Sequence, residues 1–308
     1  MDDKELSGQV SKYLEYCKIQ KGLSPKTVKA YGIDLRQFTE FFLMHQHLLD
    51  RECIQNFIGE LHRKYKVKSV KRKIASLKAF LNYLEFEEII NVNPFSKLRI
   101  KLHEPFLLPR TIPLSSVDTL LKCVYAAKAT LTAGSYRYNT VLRDIAVLEL
   151  LFATGMRVSE LCSLGADDIG VTDGTIKIFG KGAKERIIQV GHVNVLTAVS
   201  EYSSAFADKI EATGHFFINR LGRQLSDQSV RNMITRYTDQ AHIEQHITPH
   251  MFRHSFATLL LEEDVDIRYI QQLLGHSSIT TTQIYTHVSS KKQREILAAK
   301  HPRNKICV

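Results

Sequence analysis

The stretch ITPHMFRHSFATLLLEEDVDIRYIQQLLGHSSITTTQIYTH, residues 247–287, decides how the second half of this 308-residue chain is read. Pro249 has no backbone N–H to donate and suits the first turn of a helix, so it stops any helix arriving from His246 and opens another. The apolar spacing predicts a helix over 252–262 and a second over 267–274, the latter carried by Ile267, Ile270, Leu273 and Leu274. His250 and Arg253, three residues apart, fall on one face of a first helical turn, a place that favours an anion. His242, His246, His250 and His254 recur at every fourth position, a spacing that on an unbroken helix would suit a metal. Pro249 interrupts that helix and no Cys or carboxylate lies close enough to complete a site. Neither metal nor cofactor is expected.

Upstream, residues 175–179 and 186–190 are rich in β-branched and apolar side chains and flank Gly180-Lys181-Gly182-Ala183-Lys184, which predicts a β-hairpin with a basic tip. Further helices are expected over 228–237 and 291–299, and a capped one opening at Leu114-Ser115-Ser116-Val117. Residues 126–139 (AAKATLTAGSYRYN) are poorly patterned and read as a loop or insertion. Asn93-Pro94, His103-Glu104-Pro105 and Leu108-Pro109 disfavour helix, so residues 104–113 read as a linker between a domain over 1–103 and another over 114–308.

The first domain reads as helices only. Leu6, Val10, Tyr13, Leu14 and Cys17 mark one helix. Ser24-Pro25 starts a second, carried by Val28, Tyr31, Leu35, Phe38 and Phe42. Ile54, Phe57, Ile58 and Leu61 mark a third, and residues 69–86 a fourth. The fold class is therefore mainly α: an N-terminal helical bundle followed by a mixed α/β, mostly helical domain with a small β-sheet. Lys64, Lys66, Lys68, Lys71, Arg72, Lys73 and Lys78 crowd the start of the fourth helix. A solvated face is one reading. The scarcity of interleaved acids before Glu85 favours phosphate contact.

The whole chain carries a formal charge of +10, which points to nucleic acid before an anionic membrane. No apolar run is long enough for a membrane span, and MDDKELSG does not read as a signal peptide. The five cysteines are scattered without CxxC pairs, which argues against a disulfide framework or zinc knuckle and fits a reducing cytoplasm.

Each candidate for chemistry has a plainer alternative. Arg157, in ATGMRVSEL, could pair with Glu160 or Asp144. Lys181 could decorate the hairpin tip; no GxxxxGK[ST] pattern makes it a Walker lysine. His276 could be a structural histidine, and Tyr285 a core aromatic.

Together and in this order, ATGMRVSEL, GKGAKER, HMFRHSFATLLL and IQQLLGHSSITTTQIYTH closely resemble the tyrosine recombinase (integrase) family, and its compact Xer-like enzymes in particular. The resemblance spans nearly the whole chain, with LSPKTVKAY and SVKRKIASLKAF falling in the family's helical, SAM-like core-binding domain. It implies that Arg157, Lys181, His250, Arg253 and His276 hold the active-site positions and Tyr285 that of the nucleophile. Failing Tyr285, Tyr269 or Tyr237 would be tested next.

A phenol with a pKa near 10 attacks poorly at neutral pH unless nearby charge stabilises its oxyanion. Arg157 and Arg253 can offer paired N–H donors to the scissile phosphate. His250 can help deprotonate Tyr285, His276 can hydrogen-bond the phosphate, and Lys181 can protonate the leaving 5′-oxygen. The resemblance further implies a 3′-phosphotyrosyl intermediate, double-stranded DNA with a specific site as partner, and a homotetramer, or an assembly with a paired recombinase, on synapsed DNA. Ile296, Leu297 and Ala298 give the tail an apolar face for a neighbouring protomer or for its own domain. The expected role is integration and excision of a mobile element in a bacterial, nucleoid-associated setting. Xer-type dimer resolution, DNA inversion, type IB topoisomerase action and non-catalytic DNA binding are the alternatives. The basic residues expected at DNA are Lys68, Lys71, Arg72, Lys73 and Lys78.

Overall fold

The computed structural model describes residues 3–45, 48–96, 98, 100, 102, 109–180 and 185–275. The chain divides into two compact units, Met1–Phe106 and Leu107–Val308.

The first unit holds α1 (Asp3–Ile19), α2 (Pro25–His45), α3 (Arg51–Lys64) and α4 (Val67–Phe86). Ser24 Oγ accepts from the Thr27 N–H at 3.3 Å, and Asp50 Oδ1 from the Cys53 N–H at 2.9 Å, so α2 and α3 begin where a side-chain acceptor satisfies an orphan donor. The apolar stripes meet in one core built from Leu6, Tyr13, Leu35, Phe38, Ile54, Phe57, Leu77 and Phe80. Each such large side chain contributes roughly 1.5–3 kcal/mol by leaving water.

In the second unit α5 (Leu114–Ala129) is followed by α6 (Tyr136–Thr154). The expected loop over 126–139 is thus mostly helix. Ala126, Ala127 and Ala129 are good helix formers, and Ser135 caps α6 by accepting from the Tyr138 N–H at 3.2 Å. Only 130–135 separate the two helices. Nor is α5 capped as expected: Pro113 occupies the N-cap position and no side chain caps the helix there. Two residues assigned to the linker are fastened to this unit. The Ile112 N–H donates to Ser255 Oγ at 2.7 Å and Gln245 Nε2 to the Thr111 carbonyl at 2.9 Å.

Helix α6 is buried on nearly every side, with Val141, Leu142, Ile145 to Leu148, Leu150 and Leu151 all inward, as a central core helix must be. Strands β1 (Ile169–Gly170), β2 (Thr175–Phe179) and β3 (Glu185–Gln189) form an antiparallel sheet in the order β1-β2-β3, with Ile176 opposite Ile188 and Ile178 opposite Arg186. The expected hairpin is present, and β1 adds a short third strand that two residues could not announce. Helices α7 (Val158–Ser163), α8 (Val193–Ala205), α9 (Ala207–Thr213), α10 (Asp227–Gln240), α11 (Pro249–Glu262) and α12 (Ile267–Leu274), with a 3-10 turn at Ala166–Asp168, complete the described elements. Sequence periodicity did not single out α8. Its face of Val195, Ala198, Val199 and Tyr202 packs on α6, and the Tyr202 hydroxyl donates to the Phe216 carbonyl while accepting from the Ile218 N–H. Among the described residues no helix is long and apolar enough to cross a membrane.

Candidate active site

Helix α6 stops at Gly155, whose φ of +58° is the left-handed conformation that glycine adopts without a Cβ penalty. Its N–H closes the helix on the Leu151 carbonyl at 3.2 Å, and Thr154 Oγ1 accepts from the Met156 N–H at 3.2 Å. This turn delivers Arg157 to the N-cap position of α7. There the Arg157 N–H donates to Glu160 Oε2 at 2.9 Å and its guanidinium to Glu160 Oε1 at 2.6 Å. The Glu160 pairing weighed from sequence is therefore made. Asp144 is occupied elsewhere, by Arg143 at 2.7 Å and Arg236 at 2.7 Å. The Tyr237 hydroxyl also donates to Asp144, at 3.2 Å; Tyr237 is buried, and burial followed by the Asp144 charge pushes its phenol up to about 12.

Arg253 enters from α11, the helix that Pro249 opens as expected. It is 4% exposed and donates to the Gly155 carbonyl at 2.9 Å and the Leu274 carbonyl at 2.7 Å. One side chain thus ties the turn before Arg157 to the last turn of α12, so Arg253, 96 residues further along the chain, lies against the turn that presents Arg157. His250 is exposed on the first turn of α11. Burial, then the neighbouring His250 and Arg253 charges, lowers the pKa of His254 to about 4. Among the described residues no three His, Cys, Asp or Glu gather to hold a metal. Lys181, His276 and Tyr285 lie outside the described residues, as do the tail residues Ile296, Leu297 and Ala298. The strand that ends before Lys181 and the helix that ends before His276 are described.

Sequence reasoning missed Arg186. It sits on β3 at the inward position that alternates with Ile188, and its side chain is 11% exposed. It donates to Glu160 Oε1 at 3.2 Å and Oε2 at 2.7 Å, and its Nε donates to the Leu273 carbonyl at 2.9 Å. An arginine where strand alternation demands an apolar residue was the available signal. Burial pushes the Glu160 carboxyl up, but the hydrogen bonds from Arg186 and Arg157 outweigh that and hold it below the ordinary value.

In the first unit the basic cluster is less uniform than its sequence. Lys66, Lys68, Arg72 and Lys78 are exposed and Lys71 is half-buried, whereas Lys73 is only 4% exposed. Its ammonium donates to Asp34 Oδ1 at 3.0 Å and Gln37 Oε1 at 2.5 Å, and lies 4.6 Å from the centre of the Tyr65 ring. Lys73, expected at DNA from the sequence, is instead a buried, paired ammonium held within the bundle. Arg72 also pairs with Asp34 while staying half exposed. The acid missing from the local sequence comes from α2.

Residues 128–292 match the phage integrase family, and residues 10–88 match the phage integrase N-terminal SAM-like domain. A tyrosine recombinase of Agathobacter rectalis is 52% identical over 299 residues, spanning 97% of each chain. Tyrosine recombinase XerC of Thermodesulfovibrio yellowstonii is 38% identical over 306 residues, 96% of this chain and 97% of that one. Among solved structures, the XerH site-specific recombinase bound to palindromic difH substrate in a post-cleavage complex shares the fold, with a TM-score of 0.73 at 21% identity over 94% of this chain and 84% of that one.

Proposed function

This chain belongs to the phage integrase family and is a tyrosine-type site-specific DNA recombinase; from that premise we propose that Tyr285 is its nucleophile and Arg157, Lys181, His250, Arg253 and His276 its remaining catalytic residues. The Tyr285 oxygen attacks the scissile phosphorus, a 3′-phosphotyrosyl bond forms, and the bond to the 5′-oxygen breaks. His250 draws the phenolic proton, and Lys181 supplies one to the departing 5′-hydroxyl. Arg157 and Arg253 stabilise the negative charge that gathers on the non-bridging oxygens, with His276 donating a further hydrogen bond. A 5′-hydroxyl from a second duplex then reverses the step. Bond energy is conserved in the phosphotyrosine, so neither ATP nor metal enters the scheme.

The observation that carries this reading is the Arg253 bridge from the Gly155 carbonyl to the Leu274 carbonyl. It supports a single site by bringing one proposed phosphate-binding arginine to the turn that presents the other, beside the helix that ends before His276. Double-stranded DNA is the partner, a homotetramer on synapsed DNA is the working assembly, and the bacterial cytoplasm, at the nucleoid, is the setting. Residues 1–103 serve as the core-binding domain, 104–113 as the linker, whose Thr111 and Ile112 are held by the second unit, and 114–308 as the catalytic domain. Exposed Lys68, Arg72 and Lys78, with Lys71, are the candidates for phosphate contact. Integration and excision of a mobile element is the proposed role. The names XerC and XerD among the relatives favour Xer-type dimer resolution as the second reading.

The test uses a nicked duplex bearing the bound site, found by selecting bound fragments from the source genome. The native chain should accumulate a covalent protein–DNA adduct. Tyr285→Phe should bind the same DNA and form none; an adduct in that variant would place the nucleophile elsewhere.

A further inference from the structure

We infer that Arg186 is a positioning residue for the cleavage step: it saturates Glu160 and so leaves the Arg157 guanidinium available to the scissile phosphate. The inference rests on the catalytic reading of Arg157 given above.

The buried Glu160 carboxylate accepts four hydrogen bonds. Oε1 takes one from the Arg157 guanidinium at 2.6 Å and one from Arg186 at 3.2 Å; Oε2 takes one from the Arg157 N–H at 2.9 Å and one from Arg186 at 2.7 Å. A carboxylate offers about four lone-pair sites, so this one is filled. Two guanidinium charges against one carboxylate leave a net positive charge, and it resides on the partner with more access to solvent: Arg157 is 36% exposed and Arg186 11%.

Removing Arg186 changes both quantities. Two acceptor sites on a buried anion fall empty, and the rest of the Arg157 guanidinium, already bound to Oε1, can turn to fill them. Arg157 would then close on Glu160 as a bidentate pair and the cluster would become neutral. A phosphate approaching that site meets a spent arginine.

The geometry also explains why this residue comes from β3. Its Nε holds the Leu273 carbonyl at 2.9 Å, beside the Leu274 carbonyl held by Arg253. A Cβ on Gly275 would lie 3.1 Å from Arg186 Cδ, so the end of α12 is fitted closely over this side chain. Arg186 therefore connects the strand that follows the Lys181 hairpin tip, the carboxylate that orients Arg157, and the helix that ends before His276.

The experiment compares adduct formation on the nicked duplex by the native chain, Arg186→Gln, Glu160→Gln/Arg186→Gln and Arg186→Lys, each checked for DNA binding and thermal unfolding. Arg186→Gln should cleave about 10–100-fold more slowly, less than the 10²–10³ typical of deleting a donor that itself touches the transition state. The double variant removes the competing carboxylate along with its counter-charge, and should recover about tenfold of that loss. A purely structural role would make the double variant no better than the single one.

A second readout replaces one non-bridging oxygen of the scissile phosphate with methyl, which removes the charge Arg157 must neutralise. The gap between the native chain and Arg186→Gln should then close. If Arg186→Gln does not fold, Arg186→Lys carries the test, because an ammonium lacks the planar fork that reaches both Glu160 oxygens and the Leu273 carbonyl from three separate nitrogens. It should be slow on the ordinary phosphate and match the native chain on the methylated one. Native rates for a folded Arg186→Gln, no recovery in the double variant, or, in the Arg186→Lys arm, native rates on both substrates would overturn the inference. Absence of any adduct from the native chain would instead sink the catalytic reading itself.

Discussion

Replacing Gly155 with alanine tests the geometry of the site more directly than removing a reactive group. Gly155 has φ +58°, and a Cβ there would lie 2.5 Å from Phe256 Cδ1, 2.9 Å from its Cγ and 3.1 Å from Leu274 Cδ2. The left-handed backbone costs an L-residue roughly 1–2 kcal/mol. Forcing a methyl group into a filled site costs typically about 1–3 kcal/mol more. The expected destabilisation is about 2–5 kcal/mol. In a domain of this size each kcal/mol moves the midpoint by roughly 2–4 °C, so the catalytic-unit transition should fall by about 4–20 °C in a calorimetric scan. Gly134→Ala is the control, because Gly134 has φ +78° with nothing within 4 Å of its virtual Cβ, and only the backbone cost applies. Its midpoint should move by a few degrees. The Gly155 carbonyl also accepts from Arg253, so any shift of the turn displaces both proposed phosphate-binding arginines. Surviving folded protein should cleave about 10–100-fold more slowly, in line with the penalty for misplacing a catalytic group by up to 1 Å. A Gly155→Ala chain that melts with the Gly134→Ala control and cleaves at the native rate would refute the close fit of α6, α11 and α12.

Two further outcomes follow from burial. Lys73→Met should lose about 3 kcal/mol, the lower end for breaking a buried pair because Arg72 remains on Asp34, yet leave the salt dependence of DNA binding unchanged. Lys68→Gln and Lys78→Gln should each lower the slope of log K against log salt by about 0.9; an equal reduction in Lys73→Met would return Lys73 to the DNA face. For His254, the unfolded chain takes up its proton near pH 6.5 and the folded chain only near pH 4. The unfolded state therefore binds more protons between those values, and stability should fall as pH drops from 6.5 to 4. His254→Gln should flatten that decline, and denaturant midpoints measured across the window would show whether it does.

Much of the site could be read directly from residue order. Pro249 required α11 to begin there, which put His250 and Arg253 on one turn, and the β-branched and apolar runs on either side of Gly180 to Lys184 called for a hairpin. These are local effects, settled within a few residues by backbone sterics and side-chain period. The helical content of 126–139 was hidden because its alanines carry little periodic signal and its cap, Ser135, lies in the middle of the stretch. Helix α8 was missed for a related reason: its apolar face is small and is defined by what it meets on α6.

By itself the sequence determined the two-part, mainly helical architecture, the positive charge and the spacing of Arg157, Lys181, His250, Arg253, His276 and Tyr285. Those are properties of composition and local order. Only the tertiary structure decided which charges are spent on the fold and which are offered outward. Lys73 looked like its neighbours until Asp34 arrived from another helix, and Arg186 looked like a strand residue until Glu160 and the end of α12 closed around it. The energy of a charge depends on its partners and its distance from water, and both are set by residues far away in the chain.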